Sequence, residues 1–343
     1  MKPINKILVT GGLGYIGSHT VVALQQAGYE VTIIDDLSNT HISVLDKITK
    51  ITESKPDFYP IDLKDTEAVS AFFKKQKIEG VIHFAAHKAV GESVEKPLMY
   101  YRNNLVGLMN VLEAMNENGL DHFIFSSSCT VYGQADKMPI NEQTPLKRPE
   151  APYGKTKAMG EEIISDFVAS YNKNAIALRY FNPVGSHASA LLGEAPNGIP
   201  NNLIPYITQT AAGIRESLGV FGNDYDTRDG TAIRDYIDVN DLADAHVKAL
   251  NRLLNKENKK ALEYFNLGSG TGSTVLEMIQ AFEKANNIEV PYEIKERRAG
   301  DIVEAYADYS LAKTELNWMP KTSLEESMKT AWEFEIKSLN NFI

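Results

Sequence analysis

Tyr153 and Lys157, four residues apart in PYGKTKAMG, are the pair in this sequence best suited to moving a proton. On a helix such residues share one face, so the Lys157 ammonium can sit beside the Tyr153 hydroxyl. A phenol ionises near pH ~10, and bringing it to ~7 takes about 4 kcal/mol of preferential stabilisation of the anion. One ammonium at about 4 Å in an effective dielectric of ~20 supplies roughly that amount. The spacing therefore predicts a tyrosinate near neutral pH. The hydroxyl of Ser128, closing the run Ser126 to Ser128, would complete the hydrogen bonding of a substrate oxygen. Alone the spacing is common, and a surface Tyr and Lys of no consequence share it.

Its companion is VTGGLGYIG at 9–17, which follows an apolar run and spaces Gly11, Gly14 and Gly17 three apart. That pattern suits a tight turn, close approach of backbone to a pyrophosphate, and a helix whose first amides face the phosphates. About twenty residues on, Asp35 and Asp36 end the next apolar run. A carboxylate there would bind ribose hydroxyls and repel a 2′-phosphate, so NAD is expected over NADP, with Asp35 the better placed. Asp36 or Ser38 could equally cap the following helix. Asp62 and Leu63 are expected to end the third strand, near the adenine.

Other chemistries fit less well. His83 and His87 fall on a strand and its following loop with no carboxylate pattern around them, which argues against a metal site. The serine run lacks the GxSxG elbow of a hydrolase. Cys129 is the only cysteine among 343 residues, so no intramolecular disulfide can form. A net charge of -10 disfavours nucleic acid or an anionic membrane as partner. No apolar run reaches the ~20 residues of a membrane-spanning helix. MKPINKILVTGG runs straight into a strand without the pattern of a secretory signal, so a cytoplasmic location is expected.

These residues need a scaffold, and the first half provides one. Apolar runs at 6–10, 31–35, 80–86, 122–128 and 175–181 alternate with helical patterns near 15–27, 41–52, 66–76, 97–118 and 154–171. This is the rhythm of βαβ units around a parallel sheet covered on both faces. The predicted class is α/β: a Rossmann-type doubly wound parallel sheet over 1–181. A smaller mixed α/β substrate domain follows over 182–343, with the chain free to cross between them. Gly, Pro and Asn-rich segments dominate after Asn182, with helices near 239–254 and 273–286.

With these elements in place, the chain resembles the extended short-chain dehydrogenase/reductases and, within them, the UDP-glucose (UDP-galactose) 4-epimerases. The similarity runs through KAVGESVEKPLMYYRNN at 88–104, FSSSCTVYG at 125–133, RYFNPVG at 179–185, GIPNNLIPY at 198–206, FGNDYDTRDGTAIRDYI at 221–237 and RRAGD at 297–301. The resemblance implies that Ser128, Tyr153 and Lys157 are catalytic. It implies that Tyr15, Ile16, Asn39, Phe84, Ala85, Lys88, Asn103 and Tyr180 join the glycine loop, Asp35, Asp62 and Leu63 around NAD. A UDP-hexose would meet Lys88, Phe181, Asn182, Asn202, Leu203, Val220, Phe221, Arg234, Arg298, Asp301 and Ala305. Arg234 and Arg298 also suit a diphosphate through their forked donors, although surface ion pairs would look the same.

The chemistry implied is redox-neutral: Tyr153 takes the 4-hydroxyl proton, hydride passes to a tightly held NAD, and a 4-keto sugar receives it back on its other face. A homodimer built on helices near 97–118 and 154–171 would match the family, although packing on the sheet explains their apolar faces equally well.

Three positions depart from the pattern: Cys129 for alanine, Asp238 for histidine and His87 for leucine. Ala305 falls where epimerases restricted to unacetylated sugars carry tyrosine, leaving room for an N-acetyl group, unless the register slips by one and Tyr306 forms that wall. A dehydratase or decarboxylase on the same scaffold is the nearest rival, but dehydratases carry an Asp-Glu pair where this chain has Cys129 and Thr130. A non-catalytic NAD sensor would be expected to have lost Tyr153 or Lys157.

Overall fold

The structure, a computed structural model, describes residues 5–298 and 301–340. The first four residues of the expected N-terminal run, and the Ala and Gly of RRAGD, lie outside them. Strands β1 (Lys6–Thr10), β2 (Glu30–Ile34), β3 (Asp57–Tyr59), β4 (Gly80–His83), β5 (His122–Ser126) and β6 (Asn174–Tyr180) alternate with helices. The helices are α1 (Tyr15–Gln26), α2 (Ser43–Thr52), α3 (Thr66–Lys75), α4 (Val90–Glu95), α5 (Pro97–Tyr101), α6 (Gly107–Glu117) and α7 (Pro152–Tyr171). After β7 (Asn182–Val184) come α8 (Leu203–Ala211), β8 (Leu218–Phe221), β9 (Ile233–Asp238) and α9 (Val239–Leu254). β10 (Leu262–Leu267), β11 (Gly272–Thr274), α10 (Val275–Asn286), β12 (Tyr292–Lys295), β13 (Glu304–Ala305), α11 (Ser310–Glu315) and α12 (Leu324–Asn340) complete the described chain.

Seven strands form one parallel sheet in the order β10-β6-β5-β4-β1-β2-β3. The order reverses between β1 and β4, which opens a crevice at the carboxyl ends of those two strands. Within β1, Ile7 and Val9 face a core shared with α1, α2 and α9, while Leu8 faces one shared with α3, α6 and α7. Burial on both faces is why the strands read as unbroken apolar runs. The second half feeds this layer too: β10 pairs with β6, and α9 lies against α1. Helices α8, α10 and α12 with β8 gather around a separate core of Ile207, Val220, Met278, Phe282 and Met328, while Ala312, Leu316 and Trp318 join the core under α9.

Several expected boundaries move. β4 and β5 end at His83 and Ser126, so Phe84 to Ala86 and Ser127 to Ser128 are loop at the crevice rather than strand. Asp62 and Leu63 lie beyond the short β3, in the turn before α3. The helix expected over 97–118 is interrupted by a π-helical turn at Arg102–Val106, and this turn carries Asn103. Such insertions re-aim one helical face and recur at functional sites.

Candidate active site

The crevice is a cavity of about 290 Å³. Its floor is the glycine loop. Gly11 takes φ +68°, and a Cβ at Gly17 would stand 2.2 Å from the Gly11 carbonyl oxygen, so only glycine lets helix α1 start this close to β1. Helix α1 has Gly14 as its N-cap and so no side-chain cap, which leaves its first amides to whatever anion occupies the cavity. Every residue expected around the cofactor lines this cavity, from Tyr15 and Ile16 through Asn39, Phe84 and Ala85 to Lys88, Asn103 and Tyr180.

The two aspartates after β2 separate by environment. Asp35 is buried, and its two carboxylate oxygens accept amides of Leu13 and Leu37 at 3.1 and 3.0 Å. It thus braces the glycine loop while facing the cavity, and burial raises its pKa against the pull of those amides. Asp36 instead accepts the Ser38 amide and hydroxyl at 2.9 and 2.6 Å, which closes a local turn. Asp62 pairs with Lys64 at 2.9 Å, and the same ammonium donates to Asn103 at 3.0 Å. Lys64 lines the cavity and does not stand out in the sequence, because one lysine two residues past an aspartate carries no pattern.

Pro152 opens α7 at a position where its missing N–H costs nothing, and Tyr153 follows in the first turn. One turn on, Lys157 is buried, and its Nζ donates to the Ser126 carbonyl at 2.6 Å. Ser128 caps the short helical turn Cys129–Tyr132, accepting from the Thr130 amide and hydroxyl at 3.2 and 3.0 Å. Tyr180 hydrogen-bonds Ser126 at the base of the site. Tyr153, Lys157 and Ser128 therefore meet in the same cavity as the glycine loop.

Their electrostatics correct the expectation that Lys157 by itself produces a tyrosinate near neutral pH. Burial pushes the Tyr153 phenol up to about 12, opposed by the Ser128 side chain. It also pushes the Lys157 ammonium down to about 7, opposed by Glu161 one turn further along. Helical spacing gives the separation of two groups but not their depth, and at this depth desolvation outweighs attraction. Glu161 is locked by Arg179, at 2.9 and 2.6 Å, and by the Ser127 hydroxyl at 2.5 Å.

The far wall comes from the second half. Phe181, Asn182 and Asn202 line the cavity, whereas Leu203, Val220, Phe221, Arg234, Arg298, Asp301 and Ala305 stand behind or beyond it. Asn182 donates to the Asp235 carbonyl at 2.9 Å. The Arg298 guanidinium lies 3.8 Å from the centre of the Phe221 ring, and Arg234 pairs with Asp301. Leu203 starts α8, packed against the second core, and Val220 is fully buried there, main chain included, so neither residue lines the cavity. Ala305, beside Arg234 on β13, packs with Cys129 and Phe181, two cavity residues. The Tyr306 ring points the other way, against Gly272.

The three departures are absorbed locally. Asp238 caps α9 through Asn240 at 2.8 Å and takes the Ser327 hydroxyl at 2.7 Å. Burial raises the Cys129 thiol to about 12, so neither it nor Thr130 can act as an acid and base pair. The His87 amide donates to Asn104 at 2.8 Å.

Known proteins match along nearly the whole chain. A family described as GDP-mannose 4,6 dehydratase matches residues 8–331. A UDP-glucose 4-epimerase of Bacillus subtilis is 51% identical over 337 residues, 98% of each chain. The crystal structure of a UDP-glucose 4-epimerase from Stenotrophomonas maltophila, with bound NAD and formylated UDP-arabinopyranose, superposes with a TM-score of 0.95 at 44% identity, covering 99% of this chain and 100% of that one. One from Bifidobacterium longum, in complex with NAD+ and UDP, gives 0.94 at 42% identity over 98% and 100%. The chain therefore belongs to the family described as GDP-mannose 4,6 dehydratase and, within it, to the UDP-glucose 4-epimerases, an enzyme class.

Proposed function

We propose that this enzyme interconverts UDP-glucose and UDP-galactose at C4 through a 4-keto sugar, with NAD retained between cycles. The observation that carries this reading is that Tyr153, Lys157 and Ser128 share one cavity with the uncapped glycine-loop helix. The residues suit NAD: the loop leaves no room for a Cβ at Gly17, the uncapped α1 amides would face its pyrophosphate, and the buried Asp35 carboxylate would meet ribose hydroxyls. When bound, NAD supplies a hydride acceptor and, in its oxidised form, a fixed positive charge.

The chain's own residues handle the proton. Returning the Tyr153 phenol from about 12 to neutrality takes about 7 kcal/mol, more than a half-charged Lys157 provides. Tyr153 thus gains its basicity only in a filled site, where the added positive charge stabilises the phenolate. Ser128 shares the substrate oxygen, and Lys157 holds the orientation of the serine strand end through the Ser126 carbonyl. The NAD bound in both related structures, beside a UDP-sugar in one and UDP in the other, supports this reading. Ala305, small and packed beside cavity residues, supports the further reading that N-acetylated UDP-hexoses are also interconverted.

The exposed apolar residues Val94 and Leu98 of α4 and α5 and Met109 and Met159 of α6 and α7 support the further reading that these helices meet a second copy of the chain. Denatured protein should release NAD, and native protein should convert UDP-galactose without added cofactor. A Tyr153→Phe variant that retained wild-type turnover would refute the assignment.

A further inference from the structure

The segment between Gly185 and Asn202 crosses from the second half to the mouth of the cavity, and it is fixed tightly at its back. The Ser186 amide donates to Thr330 at 3.0 Å, the Ser189 carbonyl accepts from Lys337 at 2.8 Å, and the Ser186 carbonyl accepts from Asn240 at 3.0 Å. Gly193 is wedged against helix α12: a Cβ there would stand 2.4 Å from the Phe334 ring and 2.5 Å from the Ser186 hydroxyl. Immediately after this fixed point comes Glu194.

One oxygen of Glu194 accepts two donors from opposite walls. Lys88, on the loop after β4, reaches it at 2.6 Å, and the Asn202 side-chain amide reaches it at 2.5 Å. The carboxylate is mostly buried, with its side chain 12% exposed, while that of Lys88 is 44% exposed. Asn202 precedes α8 at the position where asparagine ordinarily caps a helix, yet its side chain makes no cap hydrogen bond. The amide is committed to Glu194 instead, which is the choice expected if its placement at the cavity matters more than the helix end. The Lys88 ammonium also stands 5.9 Å from the centre of the Tyr15 ring, at the start of the glycine-loop helix.

We propose that Glu194 is a positioning residue that fixes Lys88 on the cofactor wall and Asn202 on the sugar-nucleotide wall, so that one carboxylate sets the two halves of the site in register. The proposal rests on the epimerase reading above for the identity of the ligands. Without the carboxylate, Lys88 swings into solvent as a free ammonium and Asn202 turns back to cap α8. Both must then be ordered anew whenever a ligand binds, which weakens binding.

The test uses purified full-length wild type, Glu194→Gln, Lys88→Met and the double variant. KM and kcat are measured for UDP-galactose, together with the NAD released on denaturation. Glu194→Gln should raise KM about tenfold with kcat within about threefold, and lower retained NAD, as expected when a charged anchor is lost. In the double variant, NAD retention should be no worse than in Lys88→Met alone, because both substitutions break one link. Glu194→Asp keeps the charge but shortens the reach, and its KM should fall between wild type and Gln; it also carries the test if the Gln variant fails to fold. KM and NAD retention within about twofold of wild type, or additive losses in the double variant, would overturn the proposal. If wild type does not convert UDP-galactose, the functional reading fails, and the NAD-retention arm still judges Glu194.

Discussion

Replacing Lys157 by methionine should make the protein more stable while abolishing its activity. The Lys157 ammonium falls from its ordinary 10.5 to about 7 in the folded protein because it is buried. The folded state therefore binds this proton more weakly than the unfolded chain, and stability rises with pH between about 7 and 10.5. At pH 7 the displacement opposes folding by about 4 kcal/mol, and at pH 9 by about 2 kcal/mol. Methionine matches the stem in length and removes this opposition, while losing the hydrogen bond to the Ser126 carbonyl costs about 1 kcal/mol. The net gain is about 3 kcal/mol at pH 7 and about 1 kcal/mol at pH 9. Urea unfolding at both pH values, on protein stripped of nucleotide so that ligand binding adds nothing, would measure it. UDP-galactose turnover should drop at least about 100-fold in the same variant. A methionine variant less stable than wild type at both pH values, or a difference that does not change with pH, would show that the buried ammonium does not oppose folding as argued.

Further substitutions read other parts of the site. Gly17→Ala puts a methyl 2.2 Å from the Gly11 oxygen, so the loop must shift, and NAD retained per chain should fall about tenfold by nucleotide release, with wild-type retention as the contrary result. Ala305→Tyr should lower kcat/KM for UDP-GalNAc at least about tenfold while changing that for UDP-galactose less than threefold; equal effects on both sugars would remove Ala305 from specificity. Arg179→Met strands the buried Glu161 carboxylate and should cost about 4 kcal/mol by denaturant unfolding, a loss below about 1 kcal/mol being the refuting outcome.

The parts of the site that a sequence shows well are those written in backbone geometry. The glycine spacing at 11, 14 and 17 and the Pro152–Tyr153 helix start are local requirements, and the structure places both at the crevice. Five of the seven strands of the sheet are legible from their unbroken apolar runs, whereas the short β3 and the late β10 are not, and the pairing partners are not legible at all. Nothing in LEYFNL at 262–267 says that it joins β6 rather than the smaller sheets, because pairing across some 80 residues leaves no periodic mark. Depth was also invisible: the spacing of Tyr153 and Lys157 was right, yet their acidities follow from burial, which depends on strands and helices far away in sequence. Glu194 escaped notice for a related reason. It is a single acid in a Gly, Pro and Asn-rich loop, and its meaning lies entirely in what the fold brings to it.

The late arrival of β10 has a consequence for how the polypeptide is made. As a chain emerges from the ribosome, the first six strands can assemble before residues 262–267 exist, and β6 then ends the sheet with Ala175, Ile176, Ala177 and Leu178 along an open border. A long apolar border of unpaired amides and carbonyls is a template for other nascent chains. Fragments stopping near residue 181 should therefore precipitate, and chains carried past residue 267 should stay dispersed, because only then is that border sealed.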